Sequence, residues 1–277
     1  MVNKVICVCT KDDGYVFEIA STYIQRNIIA KRYVAIVPEI ELEFFRSLDL
    51  GEFEIISEEK YSGIANYLQS KKIKNRDRFG WYFQQFIKLS ELDEGNKRDI
   101  NVIWDADTIP IKEINFLSNE KINFYQGKEY HLPYFQLVHR LLGLNKISKH
   151  SFIAQCFPCR VEWFDEFKSA VQQRSGKIWY EEIIDLIDFS QISGFSEYET
   201  LGTYILSNFS DEVTINNTTN NWYRNGAALI GSAQHIEKYR RYLQRNFDFI
   251  SIEKWDKKPL SFIKRFKIIC FGLDYLK

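Results

Sequence analysis

Two aspartates separated by one residue, Asp105-Ala106-Asp107, are the strongest candidates for chemistry in this chain. They follow the apolar run 102–104, which has the pattern of a buried strand, and Pro110 ends the segment. Carboxylate oxygens at the end of a strand suit Mg²⁺ or Mn²⁺ that carries a diphosphate. Such a metal neutralises the charge that develops on a leaving phosphate. We therefore predict a metal site at Asp105 and Asp107.

The same aspartates also resemble the nucleophile motif of haloacid-dehalogenase-like phosphatases, in which the first aspartate, here Asp105, is the nucleophile. In that family the motif usually ends the first strand, and a Gly-Asp-x-x-x-Asp metal motif follows later. Here the two aspartates lie far from the N-terminus, and no such later motif is present. A phosphatase that uses Asp105 is therefore the alternative enzyme.

A helix upstream of the aspartates carries two further polar groups. The sequence predicts this helix at about 81–92, with aromatic residues on its core face. Gln84 and Lys88 are four residues apart and lie on the same side of the helix. A lysine ammonium at this position can contact phosphate oxygens. We predict that Gln84 and Lys88 point into the site, and the structural alternative leaves Lys88 on a solvated face.

A second helix start supplies the candidate catalytic carboxylates. Ser196 has the position of an N-cap, and Glu199, three residues later, completes a capping box. Glu197 has no such structural role and is free to point at a ligand. A carboxylate held over a hydroxyl can act as a general base. We predict Glu197 as the catalytic carboxylate and Glu199 as the second candidate.

Two loops carry further candidate binding groups. The loop at 126–131 follows a predicted strand and contains Glu129 and His131, and binding groups concentrate on loops. His131 is a candidate ligand for metal, phosphate or sugar, although a lone histidine is more often structural. The loop at 222–226 contains Arg224, which could clamp a phosphate.

Alternating strands and helices in the first half are expected to position these residues. Apolar runs predict strands at 4–10, 32–37, 53–57, 101–104 and 122–126, and a helical pattern covers 15–29. This order predicts βαβ units and a largely parallel sheet. Ligands of open α/β sheets lie at the carboxyl ends of the strands. Residues 10–13 and the two aspartates are therefore expected to share one crevice.

The second half of the chain has a more helical pattern. Helices are predicted at 134–143, 161–173, 179–189, 197–208 and 234–246, and short strands at 213–215 and 227–230. No repeat or low-complexity linker separates the two halves. We predict one catalytic domain over residues 1–253, with a nucleotide-binding half at about 1–126 and a second half at about 127–253.

Charge and cysteine content limit the partners and the compartment. Lys+Arg and Asp+Glu number 37 each, so no net charge attracts the protein to nucleic acid. The five cysteines are odd in number, and the C-x-x-C pair Cys156 and Cys159 lacks the second pair of a zinc site. The N-terminus lacks the apolar stretch of a signal peptide, and no run reaches transmembrane length. We predict a cytoplasmic protein without a nucleic-acid partner.

The segment 254–277 differs from the rest of the chain because it is basic. Seven Lys or Arg residues stand against two Asp, a local charge of 7 − 2 = +5. Four apolar residues recur among them at helical spacing, namely Phe262, Phe266, Ile269 and Leu273. This pattern is typical of a basic amphipathic helix on an anionic membrane. The alternative is a C-terminal helix that docks on the core.

Five short motifs occur in this order along the chain: Gly80-Trp81-Tyr82-x-Gln84-Gln85-x-x-Lys88, Trp104-Asp105-Ala106-Asp107-Thr108-x-Pro110, Glu129-Tyr130-His131, Ser151-Phe152-Ile153 and Ser196-Glu197-Tyr198-Glu199. Together they resemble a family of bacterial GT-A-type glycosyltransferase-like proteins, largely of unassigned function, found among polysaccharide and lipopolysaccharide genes. The resemblance spans roughly residues 1–230, and the ordered set is more specific than any single motif.

The resemblance implies an α/β GT-A fold with a Rossmann-like nucleotide-binding half, a mixed central sheet and a more helical acceptor half. It implies Mn²⁺ or Mg²⁺, a nucleotide-sugar donor (UDP- or GDP-sugars favoured), and a glycan or glycolipid acceptor such as lipopolysaccharide, O-antigen or capsule. Many GT-A enzymes complete the metal site with a C-terminal histidine, but this chain has no histidine after His235.

Each candidate residue then has an expected role. The donor is expected to contact Thr10, Lys11, Asp12, Gln84, Lys88, Trp104, Ala106 and Arg224. The acceptor or transferred sugar is expected to contact Glu129, His131 and Tyr198. Glu197 deprotonates the acceptor hydroxyl if the reaction inverts the anomeric configuration, and it steadies an oxocarbenium-like centre if the reaction retains it. The non-enzymatic alternative is a nucleotide- or glycan-binding module of the same fold.

Overall fold

A five-stranded sheet in the order β3-β2-β1-β4-β8 forms the centre of the molecule. The computed structural model describes residues 1–73, 78–215, 221–254 and 260–272. Strands β1 to β4 run parallel, and β8 is antiparallel to β4. The strands of this sheet are β1 Val2–Val8, β2 Ala30–Val37, β3 Phe53–Ser57, β4 Ile100–Trp104 and β8 Cys156–Arg160.

Helices flank the sheet and form most of the second half. β4 is buried along its whole length, as expected for a strand in a sheet that helices cover on both faces. The helices are α1 Lys11–Asn27, α2 Leu42–Arg46, α3 Ser62–Gln69, α4 Phe79–Ser90, α5 Leu132–Leu142, α6 Val161–Ser175, α7 Trp179–Leu186, α8 Glu197–Asn208, α9 Gly226–Ile230, α10 Ile236–Leu243 and α11 Phe262–Phe271.

Two small sheets complete the structure. One has the order β10-β11-β5, and the other has the order β6-β7-β9. Their strands are β5 Thr108–Pro110, β6 Leu117–Ser118, β7 Lys121–Phe124, β9 Val213–Ile215, β10 Trp222–Tyr223 and β11 Phe249–Ser251. The antiparallel pairing of β11 with β5 matters for function because it returns the C-terminal part of the chain to the segment after Asp107.

Two features of the sheet differ from the sequence-based prediction. Strand β8 was not predicted, because Pro158 lies at its centre and proline is tolerated only at sheet edges. β8 is an edge strand, and its C-x-x-C cysteines are buried thiols. The predicted strand at 227–230 is wrong, since helix α9 covers it. A short apolar run does not distinguish a strand from a buried helix.

The described part of the basic segment is a helix that docks on the protein through one side and exposes apolar side chains on another. Helix α11 docks through Ile268 and Ile269, which are buried, while Phe262 and Phe266 are 83% and 52% exposed. The Arg265 guanidinium donates to the Tyr239 hydroxyl of α10. The remaining predicted residues of this segment, Leu273 and the basic residues 257, 258 and 277, lie outside the described residues.

A buried ion cluster joins β1 to the segment after α4. Glu91 is 2% exposed and accepts from the Lys4 ammonium at 2.7 Å, from Lys60 at 2.6 Å and from the Tyr61 hydroxyl. Burial raises the pKa of Glu91, but Lys4 and the hydrogen bonds outweigh it and lower the pKa to about 2. The folded protein therefore favours the ionised carboxylate.

This cluster makes the free energy of unfolding depend on pH in the acidic range. A lowered carboxyl pKa stabilises the fold above the unfolded pKa of about 4.3, and the contribution is lost as pH falls toward 2. We expect Glu91→Gln to lower the free energy of unfolding by about 3 kcal/mol at pH 7 and to flatten its decline between pH 5 and 2. Urea unfolding across that range measures both effects, with exposed Glu43→Gln as control. Equal urea midpoints for Glu91→Gln and wild type would contradict the prediction.

Candidate functional site

A cleft of about 400 Å³ lies at the carboxyl ends of β1 and β4. This is where open α/β sheets bind ligands. Helices α4 and α8 form the opposite wall, and the chain after β11 closes one end. Its lining includes Val8, Asp13, Gln84, Lys88, Asp105, Ala106, Asp107, Glu129, Gln155, Glu197, Tyr198, Arg224 and Glu253.

A buried lysine side chain connects two walls of the cleft. The Lys88 ammonium of α4 donates to Asp105 Oδ1 at 2.7 Å and to Glu197 Oε1 at 3.0 Å. The Tyr198 hydroxyl also donates to Asp105 Oδ1, at 2.7 Å. Lys88 and Glu197 are 6% and 5% exposed, so little water screens this ion pair. We call Lys88, Asp105, Glu197 and Tyr198 the Lys88 cluster.

Electrostatics hold the Lys88 cluster in its charged form. Burial lowers the pKa of Lys88, but Asp105 and Glu197 outweigh burial, so the pKa is raised. Burial raises the pKa of Glu197, and Lys88 opposes that rise. Burial and the carboxylate of Asp105 raise the pKa of Tyr198, which therefore stays a hydrogen-bond donor. Lys88 lines the cleft as expected, and its ammonium has two carboxylate partners there, so its contact with a phosphate stays a prediction.

Asp107 differs from the other acidic residues of the cleft because, in the described part of the chain, it forms no ion pair with a lysine or arginine. Among the described residues, Lys88 pairs with Asp105, Arg224 with Glu253 and Lys254 with Asp13. No lysine or arginine of the described ranges pairs with Asp107, which accepts from the Thr108 hydroxyl at 3.3 Å. Burial, with the negative charges of Asp105, Glu253 and Asp13, raises the pKa of Asp107 to about 7.

These residues fit a divalent cation that arrives with a diphosphate. In the described part of the chain, no three His, Cys, Asp or Glu residues form a ready-made metal cage. Mg²⁺ sites of this kind use one or two carboxylates together with substrate phosphates and water. Asp107 can supply one ligand, and Asp105 can supply Oδ2, since Lys88 and Tyr198 both bond Oδ1.

An arginine spans the end of the cleft. The Arg224 guanidinium donates to Glu253 Oε1 at 2.8 Å and pairs with Glu129. Gln155 donates to the same Glu253 oxygen at 2.8 Å, while its own carbonyl accepts from the Asp105 amide at 2.9 Å. Gln155 has φ +62°, a conformation uncommon for a residue other than glycine. Arg224 thus forms ion pairs with both Glu129 and Glu253 at this end of the cleft.

Two cleft residues were missed by the sequence-based reasoning, namely Gln155 and Glu253. Asp13 belongs to residues 10–13, which were expected in the crevice, and it is the residue of that stretch that lines the cleft. Glu253 reaches Asp107 because the Ile252 amide donates to the Asp107 carbonyl at 2.8 Å. Nothing in the local sequence around Gln155 or Glu253 signals this approach, since both arrive by long-range strand pairing.

Several predicted donor contacts lie elsewhere. Thr10 is the exposed residue before α1, and the Lys11 amide donates to Glu41 at 2.6 Å; neither lines the cleft. Asp12 pairs with Lys254 at 3.0 Å and lines an adjacent cavity. Trp104 is fully buried and donates from Nε1 to the Thr108 carbonyl, so it supports the site from the core. Gln84 and Ala106 do line the cleft.

Two further predicted site residues have structural partners. Glu199 is 1% exposed, accepts from the Ser151 hydroxyl at 2.5 Å and lies 3.9 Å from the Lys146 ammonium, so its position does not support a catalytic role. Ser196 does cap α8 by accepting from the Glu199 amide. His131 lies outside the cleft lining, and its Nε2 bonds the Ser193 carbonyl at 2.8 Å.

Comparison with known proteins bears on the fold. The sequence matches no protein-family profile and no curated protein. Mouse xyloside xylosyltransferase 1 in its apo form is structurally similar, with 11% identity over 94% of this chain and 100% of that chain, and a TM-score of 0.50. Galactosyltransferase LgtC in complex with donor and acceptor sugar analogs also matches, with 10% identity over 90% and 86% of the chains and a TM-score of 0.45.

The fold-class prediction is confirmed by this architecture. The chain is α/β, with a mixed central sheet and a second half rich in helices. Its similarity to the xylosyltransferase structure extends over nearly the whole of both chains. The chain therefore has the GT-A glycosyltransferase fold.

Proposed function

We propose that this protein is a metal-dependent glycosyltransferase that moves a sugar from a nucleoside-diphosphate sugar to a hydroxyl of a bacterial surface glycan. The observation that carries the proposal is Asp107, a carboxylate in the cleft of a GT-A fold that pairs with no lysine or arginine among the residues the structure describes. A second carboxylate, Asp105, lies beside it with one oxygen available. Such a pair suits Mn²⁺ or Mg²⁺ on a diphosphate.

Different residues of the cleft have different roles in the proposed sugar transfer. The metal, when bound, offsets the charge that develops on the leaving diphosphate. Asp107 and Asp105 would hold it, and Gln84 and Arg224 face the same space. In the reaction the acceptor oxygen bonds to the anomeric carbon, the bond from that carbon to the diphosphate breaks, and the hydroxyl proton leaves the acceptor.

Glu197 is the carboxylate best placed to act on the sugar side. It lines the cleft opposite Asp107, and its Oε1 is fixed by Lys88. Burial raises its pKa, which favours a role as proton acceptor near neutral pH. Under inversion Glu197 would accept the acceptor proton, and under retention it would stabilise positive charge on the sugar ring.

The phosphatase alternative is less consistent with this geometry. A nucleophilic Asp105 would attack phosphorus through Oδ2 and leave for the metal only Oδ1, which already accepts from Lys88 and Tyr198. The non-catalytic binding module remains a distinct outcome of the experiment below.

Binding of nucleotides with metal tests the proposal. We expect UDP- or GDP-sugars with Mn²⁺ to raise the melting temperature. At a ligand concentration a hundredfold above Kd, the free energy of unfolding should rise by about 2.7 kcal/mol. Mn²⁺ alone should have a much smaller effect, since no complete metal cage exists without the diphosphate. Release of nucleoside diphosphate from the donor then separates an enzyme from a binding module. No metal-dependent shift with UDP-, GDP- or CMP-sugars would refute the transferase.

We also propose that helix α11 contacts the cytoplasmic face of an anionic membrane. Four apolar side chains of α11 are more than half exposed, namely Phe262, Ile263, Phe266 and Phe271, and exposed Lys267 lies among them. Such a combination of apolar and basic side chains is typical of interfacial helices. Among the described residues no helix is long and apolar enough to cross a bilayer.

Sedimentation with vesicles tests this contact. We expect Phe262→Asp with Phe266→Asp to reduce co-sedimentation with phosphatidylglycerol vesicles at least about tenfold, because each change removes apolar burial and adds repulsion. Ile40→Asp is the matched control, since Ile40 is 94% exposed and lies on a different part of the surface. An equal loss in the Ile40 variant, or no loss in the double variant, would argue against α11 as the contact.

A further inference from the structure

Two further cavities adjoin the cleft. A cavity of about 490 Å³, here called the Asp12 cavity, shares Asp13 and Glu253 with the cleft. A cavity of about 280 Å³, here called the Trp222 cavity, shares Glu129, Ile153 and Arg224 with it. The cleft that contains Asp107 therefore borders two cavities, each of which shares a different set of residues with it.

The topology decides which cavity suits the nucleoside. The Asp12 cavity lies at the N-terminal end of α1, just after the carboxyl end of β1. That position belongs to the Rossmann-like half, where nucleotides bind in open α/β sheets. A donor whose diphosphate lies at Asp107 and whose nucleoside occupies the Asp12 cavity leaves the Trp222 cavity for the second substrate.

The Trp222 cavity has the chemistry of a carbohydrate site. Trp222, Tyr223 and Phe247 contribute aromatic surface, and Lys128 and Asn225 contribute exposed polar groups. Sites for small ligands commonly combine apolar walls with a few polar groups that fix orientation. The Arg224–Glu129 ion pair forms the boundary with the cleft, so a ligand in the cavity would place one end beside the transfer site.

The rim of the Trp222 cavity leads to the proposed membrane surface. Gly272, the residue after α11, lines the cavity. Phe271, the last residue of α11, is 58% exposed. One short helix thus connects the cavity to the exposed apolar and basic side chains. An acceptor seated in this cavity would have its outer end beside the surface that faces the bilayer.

We infer that the Trp222 cavity is the acceptor subsite and that it takes a glycan carried on a membrane amphiphile. The inference rests on the proposed transferase function and names the place and chemical class of its acceptor. Glycan hydroxyls contact the polar rim and the aromatic walls, and the lipid part stays at the α11 surface. The acceptor hydroxyl then reaches the cleft past Arg224.

Two matched tryptophan substitutions test the assignment. Asn225→Trp fills the mouth of the Trp222 cavity; Asn225 is exposed, and its side chain makes no capping bond to α9. Ser232→Trp fills the Asp12 cavity, and Ser232 likewise makes no side-chain capping bond. Each full-length variant is incubated with Mn²⁺ and radiolabelled donor. The probe acceptor is a phosphatidylglycerol vesicle doped with the glycolipid extract of the producing cells.

The expected results separate the two cavities. Asn225→Trp should keep the wild-type thermal shift with nucleotide and Mn²⁺. Its rate of label transfer to the vesicles should fall at least about tenfold, as expected when a substrate contact is lost. Ser232→Trp should lose the nucleotide shift itself. Wild-type transfer by Asn225→Trp overturns the subsite. If the wild-type protein transfers the radiolabelled sugar only to water-soluble glycan, the inference that the acceptor is lipid-linked is wrong. Absence of any nucleotide shift in wild type instead refutes the proposed function.

Discussion

Asp107→Asn is expected to abolish metal-dependent nucleotide binding while raising the melting temperature of the ligand-free protein. The amide keeps the shape of the side chain but loses the charge that a divalent cation requires. It also removes a carboxylate whose ionised form is destabilised by burial and by the negative charges of Asp105, Glu253 and Asp13. Loss of binding together with gain of stability is characteristic of a residue kept for function rather than folding.

The sign of the stability change follows from the raised pKa of about 7. An aspartate of the unfolded chain titrates near 3.9, so the folded protein favours the protonated form. Protonated Asp107 therefore stabilises the fold at low pH, and this contribution disappears as pH rises through about 7. Asp107→Asn keeps a neutral group at every pH, so its advantage should be absent at pH 4 and largest above pH 7.

The size of the effect is about 1–3 kcal/mol at pH 8, after discounting for the partial exposure of Asp107. Melting curves at pH 4, 6 and 8, with and without UDP-sugar and Mn²⁺, measure both parts of the prediction. Exposed Glu39→Gln is the control for a simple change of net charge. A variant that retains the metal-dependent shift would remove Asp107 from the metal site, whatever its effect on stability.

Lys88→Met is expected to lower both the free energy of unfolding and the rate of sugar transfer. The substitution leaves two carboxylates, Asp105 and Glu197, beside each other without their cation. Removing one member of a buried ion pair typically costs about 3–5 kcal/mol. Transfer should fall by a factor on the order of 10²–10³, as for loss of one fixed charge at a reacting centre, because both carboxylates lose the group that fixes their position.

A double variant shows whether the loss comes from the cluster. Lys88→Met combined with Glu197→Gln leaves only one carboxylate uncompensated, so its free energy of unfolding should exceed that of Lys88→Met alone. Lys88→Arg keeps the charge and should remain close to wild type in stability. Urea unfolding of these variants gives the coupling energy. Additive effects of Lys88 and Glu197 would mean that the two side chains act independently, contrary to the 3.0 Å contact between them.

The sequence predicted those parts of the structure that depend on local pattern. Apolar runs identified β1, β2, β3 and β4, and the capping pattern at Ser196 marked the start of α8. The aspartates after β4 were expected at a strand end because a strand followed by proline has that signature within a few residues. Periodicity and capping are local, so a single sequence contains them.

Pairing between distant segments was beyond this reasoning. Strand β8 joins the sheet through β4, and β11 joins β5, although each pair is separated by a long stretch of chain. Such contacts bring Gln155 and Glu253 to Asp105 and Asp107. Short strands interrupted by proline carry little pattern of their own, so only tertiary pairing reveals them.

The sequence by itself determined the fold class, the two aspartates and the placement of Glu197 at the head of a helix. Only the tertiary structure decided how charge is distributed among them. Folding buries Lys88, the residue expected to serve a phosphate, between Asp105 and Glu197, while Asp107 pairs with no lysine or arginine of the described ranges. Charge pairing depends on distances of a few ångströms between remote residues, and these distances exist only once the chain has folded.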